Sequence, residues 1–240
     1  MTQTVQHAQH IVKEPCQKRS RDSQERILKA AEALIRSKGF EALTTAEVVR
    51  KSKTSIGTLY ARFSDKTALL HAVQNRVQER EETCIRRQMA KVDWDALTLE
   101  ECVRRLVEIK QIATKDNHRL FEAFVVHGAT DPVLRAQGYQ HKAVIEDLEV
   151  EKLMRHAAEF GHADPETAAR VASRLAQAAQ EEYVQRSLSG VSFPPNAPPD
   201  LLLGKLADVI IAYLKTPPVS ADLAEPGQAS PESEGEAVAG

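Results

Sequence analysis

Residues 44–70 read TTAEVVRKSKTSIGTLYARFSDKTALL, and this stretch decides the fold. Thr44-Thr45-Ala46-Glu47 is a capping box, in which the threonine hydroxyl caps an amide three residues on and the glutamate reaches back. Val48 and Val49 then form the apolar face of a helix of about two turns. Ser52-Lys53-Thr54 interrupts that helix, because Ser and Thr compete locally for backbone hydrogen bonds. Ser55 caps a second short helix carrying Ile56, Leu59, Tyr60 and Phe63. Ser64-Asp65-Lys66 opens a third, longer one. Helix, short turn, helix is the arrangement that sets a recognition helix into the major groove of DNA.

Thr58-Leu59-Tyr60, then Phe63, then Lys66 and Leu69-Leu70, resembles the GTLYxxFxxKxxLL signature of the TetR family of transcriptional regulators. Gly39-Phe40 and Leu43-Thr44 resemble the same family's link between its first two helices. The resemblance runs over residues 24–72 and departs from the usual pattern twice. The turn reads Ser52-Lys53-Thr54 where Ala-Gly-Val is common, and Arg62 stands where a His or Tyr often precedes the Phe. If Lys53 is left-handed, the strain is on the order of 1 kcal/mol, and the side chain puts an extra cation near the duplex.

The resemblance implies DNA contacts from Thr58 and Tyr60 on the recognition helix and from Lys66 at the start of the next. A hydroxyl and a phenol donate to phosphates, and an ammonium supplies charge. Thr45, Lys53, Thr54, Ser55 and Ile56 lie where the helix N-termini should face the duplex. Ser55, Ile56 and Thr58 are the candidates for base-edge contacts, while Leu59 and Phe63 read as core. The partner is therefore double-stranded DNA, and a palindromic operator follows if the protein is two-fold symmetric.

Outward from this stretch, charge is unevenly spread. The net charge is −2, but residues 18–76 hold 13 Lys or Arg against 6 Asp or Glu, whereas residues 77–240 hold 18 against 27. A basic N-terminal module on an acidic remainder fits a DNA reader joined to a sensing body. Residues 1–20 read as a flexible arm closing on the basic Lys18-Arg19-Ser20-Arg21. Asp22 and Glu25 offer a cap for a first helix carrying Ile27, Ala30, Ala31, Leu34 and Ile35, and Gly39 ends it. The DNA-binding domain is thus expected over 21–70.

Residues 71–215 read as a larger helical ligand-binding and dimerisation domain. Its helices start at the second capping box, Thr98 to Glu101, at Asp131-Pro132 and at Asp164-Pro165. One helix runs over about 132–159, and a stripe rich in alanine follows on 164–188. Prolines between Phe193 and Pro199 bar a continuous helix, and Leu201 to Leu214 is a strongly apolar last one. Residues 216–240 read as a disordered acidic tail. No strand pattern appears, so the fold is all-α.

In the family this stretch resembles, the last two long helices form a four-helix interface between two copies. A homodimer follows, with Leu201, Leu202, Leu206 and Ile210 expected on an exposed apolar face. The resemblance also implies a cavity for a small hydrophobic or amphipathic effector among the middle helices. Leu106, Ile109, Phe121, Phe124, Val125, Tyr139, Met154 and Tyr183 are the candidate lining residues.

Other function classes find little support. No Gly-rich phosphate loop, nucleophile elbow or metalloprotease motif is present, so no catalytic residue is assigned. His118, His127, His141 and His156 lack the spacing of a metal site, and no cofactor is called for. The three cysteines are odd in number and far apart, which argues against a disulfide framework. No run approaches the roughly 20 apolar residues of a membrane span, and residues 1–21 lack the apolar core of a secretion signal. A cytoplasmic repressor relieved by an effector is the leading expectation. The alternatives are a DNA-binding factor acting through protein partners without an inducer, and a helical assembly protein.

Overall fold

The computed structural model describes residues 14–115, 117–188 and 201–217. The arm as far as residue 13, the proline-rich link at 189–200 and the acidic tail beyond 217 lie outside the described residues. Within them, regular structure is entirely helical, as the absence of strand alternation predicts. The α-helices are α1 (Glu14–Lys38), α2 (Thr45–Ser52), α3 (Ile56–Tyr60), α4 (Lys66–Met89), α5 (Leu99–Thr114), α6 (His118–Gly128), α7 (Pro132–Leu153), α8 (Pro165–Leu188) and α9 (Leu201–Lys215).

The starts and stops follow from side chains read in the sequence. Thr44 Oγ1 accepts from Glu47 N at 3.3 Å while Thr44 N donates to Glu47 Oε2 at 3.2 Å. Thr98 and Glu101 repeat the box on α5. Asp65 caps α4, accepting from Ala68 N at 2.7 Å. Asp131 caps α7, whose first residue is Pro132. Gly39, at φ 82°, closes α1 and donates to Ile35 O at 2.8 Å.

Two elements differ from expectation. Helix α1 begins at Glu14 and runs straight through Asp22, which is no cap. Nothing between the two positions breaks a helix, and proline is tolerated in a first turn, where Pro15 falls. Helix α7 stops at Leu153 and a 3₁₀ segment covers Met154–Glu159, with His156 at non-helical angles (φ −108°, ψ 17°).

Two apolar cores form. The first joins Ile27, Ala31 and Ile35 of α1 to Val48, Leu59, Leu70 and Val73, and extends to Leu120, Ala123 and Phe124 of α6 and Leu134 of α7. The head's packing therefore does not stop at residue 70; α6 completes it. The second core gathers Ile85 and Met89 of α4, Trp94, α5, α7, the alanines of α8, and Leu206, Ile210 and Leu214 of α9. Small side chains at Ala168, Ala172, Ala176 and Ala179 are all buried, so α8 sits close against both α7 and α9. Each buried Leu or Ile contributes about 1.5–3 kcal/mol. Helix α4 enters both cores and ties them together.

Charged contacts reinforce that tie. Glu32, buried on α1, lies 3.2 Å from Arg76 Nε and 2.7 Å from Arg80 on α4. His71 of α4 meets Asp131, the cap of α7, at 2.6 Å. At the far end, α9 is clamped to the loop after α7: Gly161 N donates to Leu214 O at 2.8 Å. Leu206 and Ile210, expected on an exposed face, are only 4 % exposed, because the helix turns them into the body core. Among the described residues of these two helices, the large apolar side chains left exposed are Leu202 and Val209 on α9, at 41 % and 47 %, and Leu175 on α8.

Candidate nucleic-acid interface

The turn between α2 and α3 is built as its residue types demand. Lys53 caps α2 at φ 53°, ψ 45°, a left-handed conformation, and its N–H donates to Arg50 O and Val49 O. A lysine thus holds a position that glycine occupies without strain. Ser52 and Thr54 hydroxyls pair across it at 2.8 Å. Ser55 then caps α3, accepting from Thr58 N at 3.1 Å, and the Ser55 and Thr58 hydroxyls lie 2.8 Å apart.

Packing sorts α3 into two faces. Leu59 and Phe63 are buried, while Ile56 and Tyr60, one turn apart, are each 50 % exposed. The phenol is therefore outside the core and free to reach a partner. Lys53, Thr54, Ser55 and Thr58 line one groove of about 590 Å³ with Ser20, Ser23, Arg26 and Arg62. Arg62 donates to Ser20 Oγ at 3.0 Å and to Ser23 Oγ at 2.8 Å, and Arg26 Nε donates to Ser52 O at 3.3 Å. These bonds seat the front of α1 against the turn. Sequence spacing gave no sign of Arg26, since only tertiary packing brings it to residue 52; Arg62 was visible only as a departure from the signature.

Two expected contacts sit differently. Lys66 Nζ donates to Glu41 O at 3.2 Å and lies 4.3 Å from the Phe40 ring centroid, so its ammonium is partly engaged inside the head. Thr45 is the first residue of α2 and half-buried, one position inside the cap. Lys38 and the Thr44 hydroxyl hold the Glu47 carboxyl down to about 2, fixing a charged capping box beside this face.

Residues 27–73 match the family model for bacterial regulatory proteins of the tetR family. The chain carries a TetR-family DNA-binding domain. About four fifths of the chain shares its fold with solved structures. A TetR transcription regulator from Haloarcula marismortui superposes with a TM-score of 0.62 at 16% identity, covering 81% of this chain and 97% of that one. A protein from Saccharomonospora viridis in complex with choline gives 0.59 at 18% identity, over 80% and 96%. The multidrug binding protein EbrR, complexed with ethidium, gives 0.57 at 17% identity, over 80% and 97%. A search of curated sequences found no match.

Behind the TetR-family domain, two cavities among the described residues of the body bear on the expected ligand site. One, of about 340 Å³, lies among α4, α6, α7 and α8 and is lined by Phe121, Phe124, Val125 and Tyr139, four of the expected residues. The other, of about 370 Å³, lies among α5, α8 and α9 and takes Leu106 and Tyr183. Ile109 and Met154 line neither and belong to the body core; Ile109 is 2 % exposed. Lys110, Thr114 and Gln180 form a wall common to both cavities. Buried polar residues such as Lys110 and Glu149 were missed because each occupies a core register of its helix, where an apolar side chain is the usual choice.

The four histidines singled out in the sequence are dispersed. His118 stacks edge-on to Tyr183, His127 on Phe40, His141 lies 3.2 Å from Glu81, and His156 lies 3.2 Å from Glu159. Among the described residues no His, Cys, Asp or Glu group is placed to hold a metal ion, and no helix is long and apolar enough to cross a membrane.

Proposed function

We propose that this protein is a homodimeric repressor that grips a palindromic operator and lets go when a small hydrophobic or amphipathic effector fills its body. The observation that carries the reading is the outer face of the head. Ile56 and Tyr60 stand out from α3, and Lys53, Thr54, Ser55 and Thr58 share one groove with two arginines. In this reading α3 enters the major groove, with Ser55, Ile56 and Thr58 towards base edges. Tyr60, Lys53, Thr54, Thr45 and Lys66 sit towards the phosphates. Leu175, Leu202 and Val209 supply the apolar contact between two copies.

The cavity among α4, α6, α7 and α8 is the effector site in this account. Its walls include Gln74 and Glu81 of α4 and Phe121 and Phe124 of α6, helices that also pack against the head. An occupant that prefers one placement of α4 shifts the spacing of two recognition helices by its differential affinity for the two states. Choline and ethidium in two structures of the same fold favour effector control, as do the two cavities, over a factor that works through protein partners alone.

Titration of a labelled duplex from the intergenic DNA beside the gene, followed by fluorescence anisotropy at rising salt, tests the reading. The logarithm of affinity should fall linearly and steeply with that of salt concentration, because phosphate contacts release counterions. Salt-independent binding, or none, would refute it.

A further inference from the structure

The cavity among α5, α8 and α9 is unevenly supplied with hydrogen-bond donors. Leu106, Leu206 and Ile210 make it apolar along one side. On another, the side chains of Lys110 and Glu149 are only 8% and 7% exposed. Lys110 Nζ forms an ion pair with Glu149 Oε1 at 2.9 Å, yet the ammonium has no hydrogen-bond partner. The second Glu149 oxygen is taken by the Ser173 hydroxyl at 2.5 Å. One carboxylate oxygen thus has a hydrogen-bond donor, while the ammonium has no hydrogen-bond acceptor. His118 Nδ1, on the same wall, is likewise buried with no hydrogen-bond partner, and Lys115 adds a second cation. Buried donors without acceptors cost free energy that a ligand oxygen recovers.

We propose that this cavity, which shares the Lys110, Thr114 and Gln180 wall with the effector cavity beside α4, is a second binding site, for an amphiphile with a carboxylate head and a hydrocarbon tail. The carboxylate accepts from Lys110 Nζ, with His118 Nδ1 protonated to donate as a second partner. The tail lies along Leu106, Leu206 and Ile210. A cationic head is disfavoured, since Lys110 and Lys115 outnumber Glu149 in the lining. A neutral head forgoes the stronger, charge-assisted bond.

Calorimetric titration of the full chain with decanoate, decan-1-ol and decyltrimethylammonium, each kept below micelle formation, tests the site without DNA. Its outcome is therefore independent of operator release. Decanoate should bind roughly tenfold tighter than the alcohol, and tighter still than the cation. Lys110→Met combined with Glu149→Gln removes both charges without stranding either and should abolish that preference while alcohol binding survives. Gly204→Leu is the second variant: Gly204 lines this cavity and not the one beside α4, and a Cβ there meets nothing within 4 Å, so a larger side chain has room at the cavity rim. It should abolish decanoate binding with an unchanged thermal melt. The proposal is overturned if decanoate fails to bind, or if the alcohol or the cation binds as tightly. It is equally overturned if the double variant keeps the preference or Gly204→Leu keeps the affinity.

Discussion

Lys53 holds two roles in one side chain. Its left-handed backbone is strained, and its ammonium lines the groove beside α3. Lys53→Gly should therefore stabilise the fold by about 0.5–1 kcal/mol, since the relief of left-handed strain exceeds the added chain entropy. In the same variant the salt dependence of duplex binding should flatten by about one unit of slope per head. Urea denaturation and anisotropy read the two effects separately, and a destabilised variant would contradict the backbone argument. Cys102 shows the opposite economy: burial pushes its thiol up to about 12, so it stays protonated and serves as apolar filler.

At the scale of elements, caps were the most legible feature because each is a local bargain between a side chain and amides three residues away. Thr44, Ser55, Asp65, Thr98 and Asp131 were all readable for that reason. The start of α1 was not, because Asp22 mimics a cap while the helix continues through it, and Arg62, remote in sequence, holds the Ser20 and Ser23 hydroxyls. The α2 box gives a pH signature. The folded carboxyl of Glu47 sits at about 2 against an ordinary 4.5, so the charged form is favoured by folding. That contribution is complete above pH 4.5 and is lost as pH falls towards 2. The stability gap between the wild type and Glu47→Gln should close across this window in urea titrations; a gap constant with pH would exclude the assignment. Helix α9 depends on a different local constraint. A Cβ at Gly161 would lie 2.5 Å from the carbonyl oxygen of Lys215, and that atom is backbone. Gly161→Ala should cost about 1–3 kcal/mol and lower the melting temperature, whereas an unchanged melt would mean the clamp is loose.

Across the whole molecule, the division into head and body was legible from charge, but the seam was not. Period and charge end the head near residue 70, whereas packing carries it on to Leu120, Phe124 and Leu134, contacts with no trace in local sequence. The same limit applies to the residues expected to line an effector cavity. An apolar helix position reads alike whether it faces a cavity, as Phe121 and Phe124 do, or a closed core, as Ile109 does. The face of α9 was misassigned for a related reason: a helix apolar nearly all round gives no hint which stripe is outermost, and Leu206 and Ile210 turned inward. Leu202 and Val209, exposed on α9, are together with Leu175 of α8 the surface on which the two-fold reading rests.

In the proposed function, two such heads, held at a fixed spacing by a paired body, read duplex DNA. Selection of a random double-stranded library by the full-length protein, followed by sequencing of the bound fraction, tests it most directly. The account predicts enrichment of an inverted repeat whose half-sites are centred about 10 base pairs, or a multiple, apart. Recovery of a single unrepeated site, or of no enriched sequence at all, would contradict it.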